Sequence, residues 1–159
     1  MDIISFIKIW VTYMFVPQNP HYIDTCIWLN LFKKEGDESK GIPYWKIAKD
    51  FLEKIMFSDN IILYSGFILK EMSFKLSDDE FKEKLEFMKK EFKFIKATEE
   101  DYEFARKLES ELDFEISFFD CIHIVISKRT DSVLISRDEE LIKNAKKYVD
   151  VKKPEELIS

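Results

Sequence analysis

Residues 116–141 read ISFFDCIHIVISKRTDSVLISRDEEL, and the fold turns on this stretch. Ser117-x-x-Asp120 is a capping box, in which a hydroxyl and a carboxylate satisfy the free N–H groups of a helix's first turn. The apolar run Ile122–Ile126 continues that helix. It leads through Lys128 and Arg129 into Val133-Leu134-Ile135, a short buried strand. Ser136-x-x-Glu139 then precedes Leu141 and Ile142 and predicts a further helix. A helix that feeds a strand directly runs antiparallel to it. The helix N-terminus and the strand's carboxyl end therefore share one edge, which brings Asp120 and Asp138 to the same side.

Working outward, the same alternation recurs. His21-Tyr22-Ile23 is a short strand ending at Asp24, with a helix from about Cys26 to Lys34 and the polar loop EGDESKG behind it. Pro43 stands at a helix start, followed by Tyr44, Ile47, Phe51 and Ile55 at helical spacing. Ile61–Tyr64 is a buried strand, after which Ser65 begins a helix. Ser77-x-x-Glu80 and Thr98-x-x-Asp101 open two more, and Phe94-Ile95 and Val149–Val151 complete the strands. Strands alternating with helices predict an α/β fold, three-layer αβα around a short central parallel sheet.

At 159 residues the chain suits one domain and buries enough surface to fold without disulfides or a structural metal. A net charge of −6 argues against a nucleic-acid binder that relies on bulk positive charge, though not against one that works through bound metal. Two cysteines form no disulfide framework and point to a reducing, cytoplasmic setting. The Lys/Glu enrichment, with one glutamine, resembles thermophile composition, and an AT-rich genome would produce a similar bias.

Residues 1–20 stand apart as an N-terminal apolar extension, with residues 21–159 as the folded domain. The run IISFIKIWVTYMFV (residues 3–16) is shorter than the ~20 residues of a spanning helix, includes Lys8, and lacks a signal peptide's basic start. No membrane association is expected. Ile7, Ile9, Val11, Tyr13 and Phe15 alternate as one face of a strand, which would pair with a second copy in a homodimer or pack on its own domain.

In open α/β sheets, sites form beyond the carboxyl ends of the strands. Asp24 ends the first strand, Glu71 lies about two turns into the helix begun by Ser65, and Asp120 and Asp138 reach the same edge. Like charges brought together resist joint ionisation. A hard divalent cation, Mg²⁺ or Mn²⁺, removes that cost, prefers carboxylate oxygen, makes nearby water more acidic and stabilises charge on a phosphate.

The segments YIDTCIWL (22–29), ILKEM (68–72), ISFFDCIHIVIS (116–127) and VLISRDEEL (133–141) resemble the four acidic motifs of PIN-domain ribonucleases, many of which are the toxins of VapBC toxin–antitoxin pairs. The resemblance spans about Tyr22 to Leu157. It implies a PIN-like nuclease domain in which Asp24, Glu71, Asp120 and Asp138 are the catalytic, metal-holding acids, with Thr25 and Ser136 in support. It implies Mg²⁺- or Mn²⁺-dependent cleavage of an RNA substrate to 5′-phosphate and 3′-hydroxyl ends, and a small antitoxin protein as partner. Cys26 departs from the short polar residue that the family often has there. The alternatives are a non-catalytic PIN-fold protein that binds RNA or a partner, and another Mg-dependent α/β phosphohydrolase. The second, in the form of a haloacid-dehalogenase-like phosphatase, would need an acid where Cys26 stands, two residues after Asp24.

Each acid also has a plainer reading. Asp24 and Asp120 suit helix caps, Asp138 suits a first helical turn, and Glu71 suits a solvated helix face. His123, one turn after Asp120, is expected to be a satisfied buried histidine rather than a proton shuttle or ligand. Cys26 and Cys121 are read as small buried residues, and Trp28 and Phe32 as core or interface. Lys128, Arg129 and Arg137 are weaker candidates for holding RNA phosphates. Glu99–Glu115 carries eight acids against Arg106 and Lys107, a face suited to a basic partner.

Overall fold

The structure is a computed structural model that describes residues 2–7 and 19–158. Its centre is a parallel sheet of β1 (His21–Ile23), β2 (Ile62–Ser65), β3 (Lys93–Ile95), β4 (Val133–Ile135) and β5 (Val151–Lys152), in the order β3-β2-β1-β4-β5. The helices are α1 (Thr25–Phe32), α2 (Tyr44–Phe57), α3 (Gly66–Lys75), α4 (Asp78–Glu91), α5 (Glu99–Glu111), α6 (Phe118–Arg129) and α7 (Glu139–Ala145), with 3-10 turns at Glu38–Lys40 and Pro154–Leu157. The three-layer αβα expectation holds.

The strand order explains where a site can form. The chain lays down β1, β2 and β3 toward one edge, then places β4 on the other side of β1. Register pairs Ile23 with Ile135 across the β1–β4 seam, and Asp24 N–H donates to Ile135 O at 2.8 Å. This seam is the topological switch point, where helices leaving neighbouring strands diverge and open a crevice at their carboxyl ends.

The central strands are buried throughout, as a sheet covered on both faces requires. Helix α6 buries Cys121, Ile122, His123, Ile124, Ile126 and Ser127, so it lies inside the molecule with α5 packed on it. Trp28 is fully buried, donates Nε1–H to Ile23 O at 3.1 Å and stacks on Phe32 at 5.7 Å, as the core reading expected.

The capping boxes at Ser77/Glu80, Thr98/Asp101 and Ser117/Asp120 form as read. The one at Ser136/Glu139 does not. Asp138 is the N-cap of α7, accepting from Glu140 N and Leu141 N, because the Ser136 hydroxyl is turned toward Asp24. Smaller corrections concern boundaries: α1 spans Thr25–Phe32, and the last strand is Val151–Lys152 rather than Val149–Val151. Residues 3–7 are helical and exposed, so Ile7 belongs to a helical turn rather than a strand face. Ile9, Val11, Tyr13 and Phe15, on which the strand reading also rested, lie outside the described residues.

Candidate functional site

Asp24, Glu71, Asp120 and Asp138 line one cleft of about 240 Å³ at the carboxyl edge of β1 and β4, together with Thr25, Cys26, Leu29, Phe74 and Lys75. The elements deliver them by the route the sequence suggested. Asp24 is the first residue beyond β1 and the N-cap of α1. Glu71 sits on α3, which leaves β2 through the N-cap Ser65. Asp120 is the third residue of α6, and Asp138 follows β4.

Asp24 is the best-held of the four. Its Oδ1 accepts from Thr25 N at 2.8 Å, and its Oδ2 accepts from Ser136 Oγ at 2.8 Å and from the Cys26 thiol at 3.1 Å. Ser136 Oγ also accepts from Asp138 N at 3.1 Å, so one hydroxyl ties two of the acids together. Glu71 Oε1 accepts from Thr25 Oγ1 at 3.1 Å. Asp120 Oδ2 accepts from Ser117 N at 3.4 Å, the return bond of the α6 capping box. The capping and site readings of these acids are therefore compatible: a cap uses part of a carboxylate and fixes the rest.

Crowding shows in the proton affinities. Burial raises the Asp24 carboxyl above its usual range, against the pull of His123 and the bonds from Cys26 and Ser136. Burial, and then the Asp24 charge, push Asp120 up to about 6. Burial and the neighbouring Asp24 charge hold the Cys26 thiol well above its ordinary value, so it is a neutral donor here and not a nucleophile.

His123 is the residue whose role the sequence reading missed. It is fully buried and satisfied, as expected, but its partners belong to the site. Nδ1 lies 2.7 Å from Tyr22 Oη, and Nε2 lies 2.5 Å from Glu71 Oε1. Potential donor atoms of Asp24, Glu71 and His123 all fall within 4.8 Å of one another. The signal was present in the spacing, since His123 follows Asp120 by one turn on a helix whose N-terminus faces the cleft.

Three candidate phosphate-binding residues are not brought to this cleft. Lys128 and Arg129 end α6, and a rise of ~1.5 Å per residue puts them roughly 12 Å or more beyond Asp120, toward the opposite edge. Arg129 is committed to the buried Asp101 through Nε and Nη2 and to Lys96 O. Arg137 forms a two-bond pair with Glu155, at 2.9 and 2.8 Å, and stacks over Tyr44 at 4.0 Å. Among the described residues, the cation that does line the cleft is Lys75, beside Phe74, which is 68% exposed. Neither was singled out in the sequence, because a Lys on a helix in a Lys-rich chain carries no signal by itself.

The residues fit a divalent cation by the chemistry of the donor set. Several carboxylates converge in one cleft, two with raised proton affinity, with one cationic side chain among the described residues at its margin. No helix among the described residues is long and apolar enough to cross a membrane.

Known structures share this fold. VapBC2 from Rickettsia felis, solved bound to a DNA fragment from its promoter, superposes with a TM-score of 0.66 at 14% identity, covering 84% of this chain and 98% of that one. FitAcB from Neisseria gonorrhoeae gives 0.60 at 16% identity over 86% and 99%. A toxin–antitoxin complex from Klebsiella pneumoniae gives 0.58 at 18% identity over 84% and 97%. No curated protein sequence matches the chain. The sequence pattern of the PIN domain matches residues 21–147, most of the chain and a span within which all four acids lie. On that match, with the sheet order and the acid cleft behind it, the chain belongs to the PIN domain family.

Proposed function

We propose that this protein is a Mg²⁺- or Mn²⁺-dependent endoribonuclease and the toxin of a toxin–antitoxin pair. The observation that carries this is the convergence of Asp24, Glu71, Asp120 and Asp138 in one cleft at the switch point. Family membership supports nuclease chemistry. The toxin–antitoxin complexes of the same fold support an antitoxin partner.

When bound, a divalent cation offsets repulsion among the carboxylates, withdraws charge from a scissile phosphate and lowers the pKa of water beside it. The chain's own residues do the rest. Asp24 is fixed by Thr25 N, Ser136 Oγ and Cys26 Sγ, so its carboxylate is preorganised. Asp120 is held at the cleft by the return bond of its capping box, from Ser117 N at 3.4 Å, and would offer its carboxylate oxygen to the cation. Lys75 offers a positive charge to a phosphate, and the exposed ring of Phe74 offers a surface for a stacked base. The cleft thus combines acids for metal with the cation of Lys75 and the ring of Phe74 for a single strand.

Asp24→Asn and Asp120→Asn each remove an anionic oxygen while nearly preserving shape. Cleavage of mixed single-stranded RNA should fall at least about 100-fold in either variant, stop with EDTA and return with Mn²⁺. Products should carry 5′-phosphate and 3′-hydroxyl ends. Wild-type cleavage by Asp120→Asn would remove the assignment. A small open reading frame beside the gene, whose product blocks cleavage, would identify the antitoxin.

Residues 1–20 we read as an apolar extension and the rest as the nuclease domain, in keeping with a family match that begins at residue 21. Ile3, Ile4, Phe6 and Ile7 are exposed, which supports burial of this face in a homodimer. Light scattering should give a dimer for the full chain and a monomer after deletion of residues 1–19. A dimer unchanged by the deletion would remove the extension from the interface.

A further inference from the structure

The bonds around His123 form a closed circuit. Ile68 N donates to Ser65 Oγ at 3.5 Å, and Ser65 Oγ lies 2.7 Å from Tyr22 Oη. Tyr22 Oη meets His123 Nδ1 at 2.7 Å, and His123 Nε2 meets Glu71 Oε1 at 2.5 Å. Ser65 is the N-cap of α3 and Glu71 lies on α3, so the chain of bonds leaves this helix, crosses β1 and α6, and returns to it. Tyr22, Ser65 and His123 are fully buried.

Chemistry sets the direction of the bonds. An ionised carboxylate cannot donate, so Nε2 carries the proton toward Glu71. In the neutral ring Nδ1 then accepts from the Tyr22 hydroxyl, and that hydroxyl accepts from Ser65; in the protonated ring Nδ1 donates to Tyr22 Oη instead, and the bond from Nε2 to Glu71 is kept. Every donor finds an acceptor, which a buried polar network must achieve to be stable. Thr25 Oγ1 donates to the same Oε1 from the other side. Among the described residues no hydrogen bond engages Glu71 Oε2, so one carboxylate oxygen is held twice and the other is left for a ligand.

We propose that His123 is a positioning residue that acts through Glu71, holding one carboxylate oxygen so that the other is presented to a divalent cation in the cleft, with Tyr22 and Ser65 fixing the imidazole. This rests on the proposed reading of the cleft as a cation site. It differs from the plain reading, in which His123 only fills the core, and from a reading in which His123 is itself a ligand. Second partners of this kind fix the angle and basicity of a ligand, and their loss weakens metal binding by roughly 10–100-fold.

The test is Mn²⁺ titration calorimetry on the full chain at pH 7.5. Wild type is compared with His123→Leu, His123→Gln, Tyr22→Phe, Glu71→Gln and the His123→Leu/Glu71→Gln double variant, each first shown by circular dichroism to be folded. Binding should weaken about 10–100-fold in His123→Leu, recover in His123→Gln, which keeps an N–H donor, and weaken several-fold in Tyr22→Phe. With Glu71 already replaced, the Leu substitution should add little, since coupled residues are not additive. Tyr22→Phe keeps both rings, so it tests the circuit even if His123→Leu does not fold. Unchanged affinity in the folded variants, or additive losses in the double variant, would overturn the proposal. Pulsed EPR of the Mn²⁺-loaded wild type should show no nitrogen coupling, and a directly coordinated nitrogen would overturn it in favour of a His ligand. Wild type that binds no Mn²⁺ at all would overturn the cation reading of the cleft, and this proposal with it.

Discussion

Ser136 shows how much rests on one small side chain. Its hydroxyl donates to Asp24 Oδ2 and accepts from Asp138 N, so it serves an acid from β1 and an acid beyond β4 at once. Ser136→Ala should cost about 1–3 kcal/mol in urea unfolding at pH 7, since the buried Asp24 loses a donor it cannot replace from water. It should also weaken Mn²⁺ binding, because Asp24 is no longer aimed. A variant as stable as wild type would mean that Cys26 and Thr25 hold Asp24 sufficiently. At this scale the acids were legible, because a carboxylate at a strand end inside an apolar stretch has few structural uses. His123 was legible only by halves. Burial follows from its place in the IHIVI run, but its partner Glu71 comes from another helix, and single-sequence spacing carries no distance between helices.

Local chemistry governs the elements. The three capping boxes read from the sequence form because each hydroxyl has no competing partner among the described residues, and each carboxylate keeps an oxygen for the N-cap N–H. The fourth fails because the hydroxyl of Ser136 is claimed by Asp24, and Asp138 takes over the cap two residues later. A cap motif beside a site is ambiguous for this reason. Arg129 makes the complementary point. The geometry that places Asp120 at the carboxyl edge places the end of α6 at the other edge, where Arg129 meets the buried acid of the Thr98/Asp101 box. Desolvation works to raise the Asp101 carboxyl, but the bonds from Arg129 and Thr98 outweigh it and hold it below its ordinary value. Arg129→Ala should therefore destabilise the fold by about 3 kcal/mol, a cost set by the unpaired charge left behind. RNA cleavage measured well below the melting temperature should be unchanged. A large loss of cleavage with unchanged stability would return Arg129 to the substrate.

For the whole molecule, the strand order places the acid cleft, and the cleft gives the protein a testable pH dependence. Burial and the Asp24 charge push Asp120 up to about 6, and burial raises Asp24 as well. Burial alone would lower His123, but its bond to Glu71 and the charge of Asp24 outweigh that and raise it. In the unfolded chain an Asp titrates near ~3.9 and a His near ~6.5. Between its unfolded and folded pKa values each group binds more protons in the native state than in the unfolded one. Stability with EDTA present should therefore fall as pH rises, between about 4 and about 6 for Asp120 and in the range above ~6.5 for His123. Asp120→Asn removes the repelling charge and keeps an oxygen to accept from Ser117 N. At pH 7.5 with EDTA this variant should melt a few degrees above wild type, on the order of 1–2 kcal/mol once solvent access to Asp120 is allowed for. The difference should vanish near pH 4, where the wild-type carboxyl is already protonated. Mn²⁺ at a hundredfold excess over Kd should stabilise the wild type by about 2.7 kcal/mol and the variant by much less. The measurement is a set of melting curves for both proteins at pH 4 and 7.5, with EDTA and with Mn²⁺. A variant that melts lower than wild type in EDTA at pH 7.5 would make Asp120 a cap alone, and equal gains from Mn²⁺ would take it out of the cation site.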